Sequence, residues 1–140
     1  MSRIFWDTNL FIYLFEGSSA FGGQVATLRE KMLRRGDQLV TSTLTLGEVL
    51  VKPIKEGDTR LSKEYADVLL AVAVLLPFDE KAATVYAQLR GDSGLRAPDA
   101  IQLACAASFG VDLFVTNDAR LHKRQVPGIQ FIVPLERVPI

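Results

Sequence analysis

Apolar positions along the chain follow two alternating patterns. Short unbroken runs, such as "RIFW" ending at Trp6, "VLLPF" over residues 74–78 and "LFVT" over residues 113–116, read as strands. Between them lie longer stretches in which apolar side chains return every three or four positions, as Val25, Leu28 and Met32 do. These read as helices. Strands are expected at 4–6, 38–42, 74–78, 113–116 and 130–133. The helices are expected at about 9–15, 24–35, 45–51, 62–73, 79–90 and 98–110, with a further short turn after the fourth strand. The punctuation agrees with this. Gly17 and Gly36 stand where helices stop, Ser62 and Asp79 where they are capped, and Pro98 at a first helical position. Pro53 is expected to end the third helix, since proline lacks the N–H an interior position needs.

Strands that are apolar without in/out alternation, separated by helices, indicate a parallel sheet covered on both faces. The expected architecture is therefore α/β, a three-layer α/β/α sandwich over a single domain, residues 1–140. In such sheets ligands gather outside the carboxyl ends of the strands. Two of those ends deliver an aspartate: Asp7 after "RIFW", and Asp118 after "LFVTN".

Composition narrows the setting. Hydrophobic residues make up 49% of the 140, enough for a core, and no stretch approaches a membrane span. The start, "MSRIFWDTN", has no long apolar leader segment and leads directly into the fold. Cys105 is the only cysteine and on a helix face reads as a small core hydrophobe. Together these point to a reduced, cytoplasmic setting. The formal net charge is zero. That does not advertise a nucleic-acid binder, but acids at a site and bases around its rim cancel in such a sum.

Two more carboxylates join the pair. Glu48, in "TSTLTLGEVL", sits in a largely apolar helix, where an acid is costly if buried alone. Asp99, in "RAPDAIQLACAA", lies in the first turn of another helix, where the macrodipole favours it. Singly, each has an ordinary role open to it: an Asx-turn or cap for Asp7, a helix-dipole acid for Asp99, a solvated or ion-paired side chain for Glu48, a cap for Asp118. Together, two strand ends and two helix starts can face one crevice. Acids crowded there repel unless a cation neutralises them. Oxygen ligands without His or Cys suit Mg²⁺ or Mn²⁺, the ions of metal-assisted phosphodiester hydrolysis. Other chemistries fit poorly. His122 is the only histidine and reads as a surface residue; no nucleophile elbow accompanies it. There is no phosphate-binding glycine motif, and "FGGQ" at 21–24 reads as a loop. An aspartyl-nucleophile phosphatase would want an acid two positions after Asp7, where Asn9 stands.

The four segments resemble the PIN-domain family, and within it VapC-like toxins of type II toxin–antitoxin pairs. "DTNLFIYLFEG" resembles the family's first motif, "TSTLTLGEVLVKP" its second, and "RAPDAIQLACAASFGVDLFVTNDARL" the joined third and fourth. The resemblance runs nearly end to end and implies strand order 3-2-1-4-5. It also implies Mg²⁺- or Mn²⁺-dependent endoribonuclease activity, a homodimer and a cognate protein antitoxin. On it, Asp7, Asp99 and Asp118 hold metal, and Glu48 holds the metal or its water. Asn9, Thr116 and Asn117 are then supporting groups that fix the acids. Arg96, Arg120 and Arg124 are placed to reach RNA phosphates at the rim, or are simply solvated, while most of the charges of "TLREKMLRRG" read as solvent-facing. Tyr13 and Phe15 offer stacking or partner contacts, or pack in the core. Two alternatives stay open: a PIN nuclease of RNA processing outside any toxin pair, and a non-catalytic interaction module.

Overall fold

The computed structural model describes residues 1–17, 19–91 and 94–140. Five strands, β1 (Arg3–Trp6), β2 (Gln38–Ser42), β3 (Val74–Leu76), β4 (Val111–Val115) and β5 (Ile129–Val133), form one sheet in the order β3-β2-β1-β4-β5. Every neighbouring pair is parallel. β1 is central, with Ile4, Phe5 and Trp6 all fully buried, which is why its run shows no alternation.

Six helices cover the sheet: α1 (Thr8–Glu16), α2 (Phe21–Arg35), α3 (Thr43–Lys55), α4 (Thr59–Val72), α5 (Glu80–Arg90) and α6 (Ala97–Phe109). Alternate residues of the strands feed two cores. Phe5, Val40 and Phe114 pack with Ala82 of α5 and with Ala100 and Leu103 of α6. Ile4, Trp6, Leu39 and Val115 pack with Leu10, Val25, Met32, Val49 and Leu69 from the first four helices. The Phe5 and Phe114 rings stack at 4.8 Å, pinning β1 to β4 and thereby the two strand ends that carry the acids.

Several expected boundaries move, each for a local reason. "FGGQ" forms the first turn of α2 and is not a loop. α3 runs through Pro53 to Lys55. Proline there removes only one helical bond near the end, and its own carbonyl accepts the Asp58 N–H at 2.8 Å. α4 is capped by Asp58, whose carboxylate accepts the Leu61 N–H, while Ser62 lies inside the helix and bonds back to the Asp58 carbonyl. β3 stops at Leu76, just before Pro77, and β4 stops at Val115, leaving Thr116 to form the exit.

Candidate active site

All four acids lie at the carboxyl edge of the sheet or on the helices that leave it. Asp7 directly follows β1. Its amide donates to the Val115 carbonyl of β4, and its Oδ1 caps α1 by accepting the Thr8 N–H at 2.8 Å. The Asp7 carboxylate is buried and held on both oxygens: Thr116 Oγ1 donates to Oδ2 at 2.7 Å, and Gln102 Nε2 approaches Oδ1 at 3.3 Å. Burial pushes its pKa up. The hydrogen bonds from Thr116 and Thr8 pull it down, and the nearby charges of Asp99 and Glu48 push it up again. These three acids thus share one electrostatic neighbourhood.

Thr116 is the hub of the strand exit. Its hydroxyl donates to Asp7 and receives the Asn9 side-chain amide at 3.3 Å and the Asp118 N–H at 3.1 Å. The expected supporting roles of Thr116 and Asn9 have this geometry. Asn117 turns elsewhere: its Oδ1 accepts the Leu135 N–H, tying the exit of β4 to the chain beyond β5. His122 is a half-buried anchor, not a surface residue, its Nε2–H donating to the Thr116 carbonyl at 2.6 Å. Cys105 is buried, and burial raises its thiol pKa to about 11, as befits a core residue.

Glu48 is half-buried and is not left alone in its apolar helix, since Thr8 Oγ1 donates to its Oε1 at 2.6 Å. Behind Thr8 lies a buried group that the sequence reading missed. Gln102, on α6 one turn after Asp99, is 2% exposed. Its amide nitrogen reaches Thr45 Oγ1 at 2.7 Å, Thr8 Oγ1 at 3.1 Å and Asp7, while its oxygen accepts from Ser42 Oγ. Thr41 extends the chain to Thr45 and to the Trp6 carbonyl. The available signal was an amide three positions after Asp99 in an otherwise apolar helix, which places both side chains on the same face.

The outer acids are paired with arginines. Arg96 lies 3.3 Å from Asp99 Oδ2 and 3.9 Å from Asp118 Oδ2, a cation between two carboxylates. Arg120 grips Asp118 through Nε at 2.9 Å and Nη2 at 2.6 Å, and this contact holds the Asp118 carboxyl below the usual range. Arg96 and Arg120, expected to face substrate at the rim, therefore contact the acids themselves. Arg124 is half-buried near Gly94.

The donor set fits a hard divalent cation. Every candidate ligand atom is a carboxylate oxygen, one guanidinium already bridges two of the acids, and Asn9 Oδ1 is a buried oxygen without a donor among the described residues. Among those same residues no three ligating side chains are already drawn together as a cage. Asp99 meets its arginine through Oδ2 alone, while Asp118 is held by Arg120 on both carboxylate oxygens.

Comparison with known proteins places the fold. Residues 4–126 match the family model of the PIN domain. No curated protein matches the sequence. Among solved structures, the chain resembles VapBC2 from Rickettsia felis bound to a fragment of its promoter DNA, with TM-score 0.76 and 17% identity, covering 94% of this chain and 98% of that one. It also resembles DNA-bound VapBC from Salmonella typhimurium (0.73, 22%, 96% and 99%) and VapBC-5 from Mycobacterium tuberculosis, a toxin–antitoxin family member (0.61, 23%, 94% and 98%). At these identities the likeness is one of fold.

Proposed function

The chain belongs to the PIN-domain family, and from that premise we propose that it is a metal-dependent endoribonuclease acting as the toxin of a type II toxin–antitoxin pair. One observation carries the reading. Asp7 feels the charges of both Asp99 and Glu48, and Arg96 spans Asp99 and Asp118, so the four carboxylates are linked at one edge of the sheet. A folded chain keeps such a concentration of acids only with cationic partners.

Asp7, Asp99 and Asp118 would hold Mg²⁺ or Mn²⁺, with Glu48 holding it or its water. When bound, the ion would polarise a phosphoryl oxygen and make a bound water more acidic. The chain's own groups do the rest. Thr116 and Gln102 fix the Asp7 carboxylate from both sides, so it need not reorganise. Glu48 is held at Oε1 by Thr8 and keeps Oε2 to accept a proton from the attacking water. Arg96 and Arg120 are exposed guanidiniums that exchange carboxylate for phosphate as RNA arrives, a match of planar fork to oxyanion.

The partner reading rests on the relatives, which are toxin–antitoxin complexes, and on a groove between α1, α3 and α4 that mixes apolar side chains with Glu16, Glu48, Lys52 and Glu56. Phe15 stacks on Tyr65 there at 4.8 Å, beside Ile12, Val49 and Leu61. Val51 and Ile54, on the same α3, are 60% and 63% exposed, a surface that favours an antitoxin or a second copy of the chain. No helix among the described residues is long and apolar enough to cross a membrane.

Expression of the chain alone in a bacterial host is expected to arrest growth, and the Asp99→Asn chain is expected not to. Normal growth with the wild-type chain, alongside RNA cleavage by the purified protein, would point to a processing nuclease outside any toxin pair.

A further inference from the structure

Next to the acids lies a small pocket of about 270 Å³, lined by Tyr13, Phe21, Asn117, His122, Pro134 and Glu136. Two of its lining residues tie it to the exit of β4: Asn117 immediately precedes Asp118, and His122 donates to the Thr116 carbonyl. Its volume is below that of a typical drug-sized cleft and suits one planar ring system.

Two aromatic rings form one wall. Phe21 packs on Tyr13 with ring centroids 4.9 Å apart, yet remains 40% exposed. The first turn of α2 lies hard against α1 at this point. A Cβ on Gly22 would come within 3.1 Å of the Tyr13 carbonyl oxygen, so a residue without a side chain lets Phe21 sit on Tyr13. The polar wall is just as specific. Asn117 spends its oxygen on the Leu135 N–H, which leaves its NH₂ as the donor, while Glu136 brings an acceptor. An aromatic surface with one donor and one acceptor is the chemistry that holds an unpaired base by stacking and by its edge.

We infer that this pocket is a subsite for one unpaired nucleobase of the RNA beside the scissile phosphate, stacked on Phe21 and read at its edge by Asn117 and Glu136. The inference rests on the ribonuclease reading above. A base with exposed N–H groups suits the Glu136 carboxylate best.

The test measures binding rather than turnover. The full-length Asp99→Asn chain is titrated with a fluorescent single-stranded RNA in Mg²⁺, and with a series in which each nucleotide in turn is abasic. One abasic position is expected to weaken binding roughly five- to a hundred-fold, the effect of one base–aromatic stack. Adding Phe21→Ala should weaken binding of the intact RNA by a similar factor and erase the abasic penalty, while Phe21→Trp should restore both. Thermal melting by circular dichroism confirms that each variant is folded. RNA binding that ignores Phe21, with the abasic penalty intact, would overturn the subsite alone and leave the aromatic pair to a protein partner. No RNA binding by any version would sink the ribonuclease reading and the subsite with it.

Discussion

At the scale of single residues, Asp7 carries the main electrostatic cost of the site. Its folded pKa is raised above the ordinary 3.8, chiefly by burial. The stability linked to this group is fully present below 3.8 and is lost as pH rises through the raised folded pKa. Asp7→Asn keeps the cap on Thr8 without the charge. In chelator it is expected to melt at a higher temperature than wild type at neutral pH, with the gain vanishing as the pH falls below 3.8; thermal melts across pH check this. The four acids were legible in the sequence because strand ends and helix starts announce themselves. The arginine contacts were not, because which carboxylate a long exposed side chain meets depends on the fold. Arg96 was placed by sequence near Asp99, and only the structure shows it reaching Asp118 as well.

At the scale of elements, α6 does two jobs from one face. Asp99 opens it in the first turn, where the helix dipole favours a carboxylate, and Gln102 one turn later holds Asp7, Thr8 and Thr45 together. Gln102→Leu should leave buried hydroxyls and a carboxylate short of a donor. Its expected cost is about 1–3 kcal/mol in a urea melt and roughly 10- to 100-fold in activity or metal affinity, as for loss of a group that orients a ligand. The sequence showed this element's span and its acid, while its amide was signalled only by lying three positions after Asp99, on the same helix face. Elsewhere the strand–helix alternation was readable throughout, and the misplacements came where tertiary packing overrode local punctuation. Pro53 did not stop α3, because the helix keeps its other bonds and Pro53 is buried. Gly22 and Gly23 did not make a loop, because the turn they occupy packs closely on α1.

At the scale of the whole molecule, the zero net charge resolves into local separation. Acids collect at one edge of the sheet, and Arg96 and Arg120 sit on them. A parallel sheet with β1 and β4 paired at its centre brings the Asp7 and Asp118 strand ends side by side, and the crossovers add Glu48 from α3 and Asp99 from α6. The topology alone thus explains why residues as far apart in sequence as Asp7 and Asp118 lie at the same edge of the sheet. The direct measurement is cleavage of a structured RNA by the purified chain in Mg²⁺ or Mn²⁺, with chelator and with Asp99→Asn as arms and melting temperature followed in parallel. The prediction is cleavage by wild type, none in chelator, and at least the roughly 100-fold loss that removing a ligand-supporting group can cause in Asp99→Asn at an unchanged melting temperature. Cleavage that persists in chelator, or in a folded Asp99→Asn chain, would contradict it.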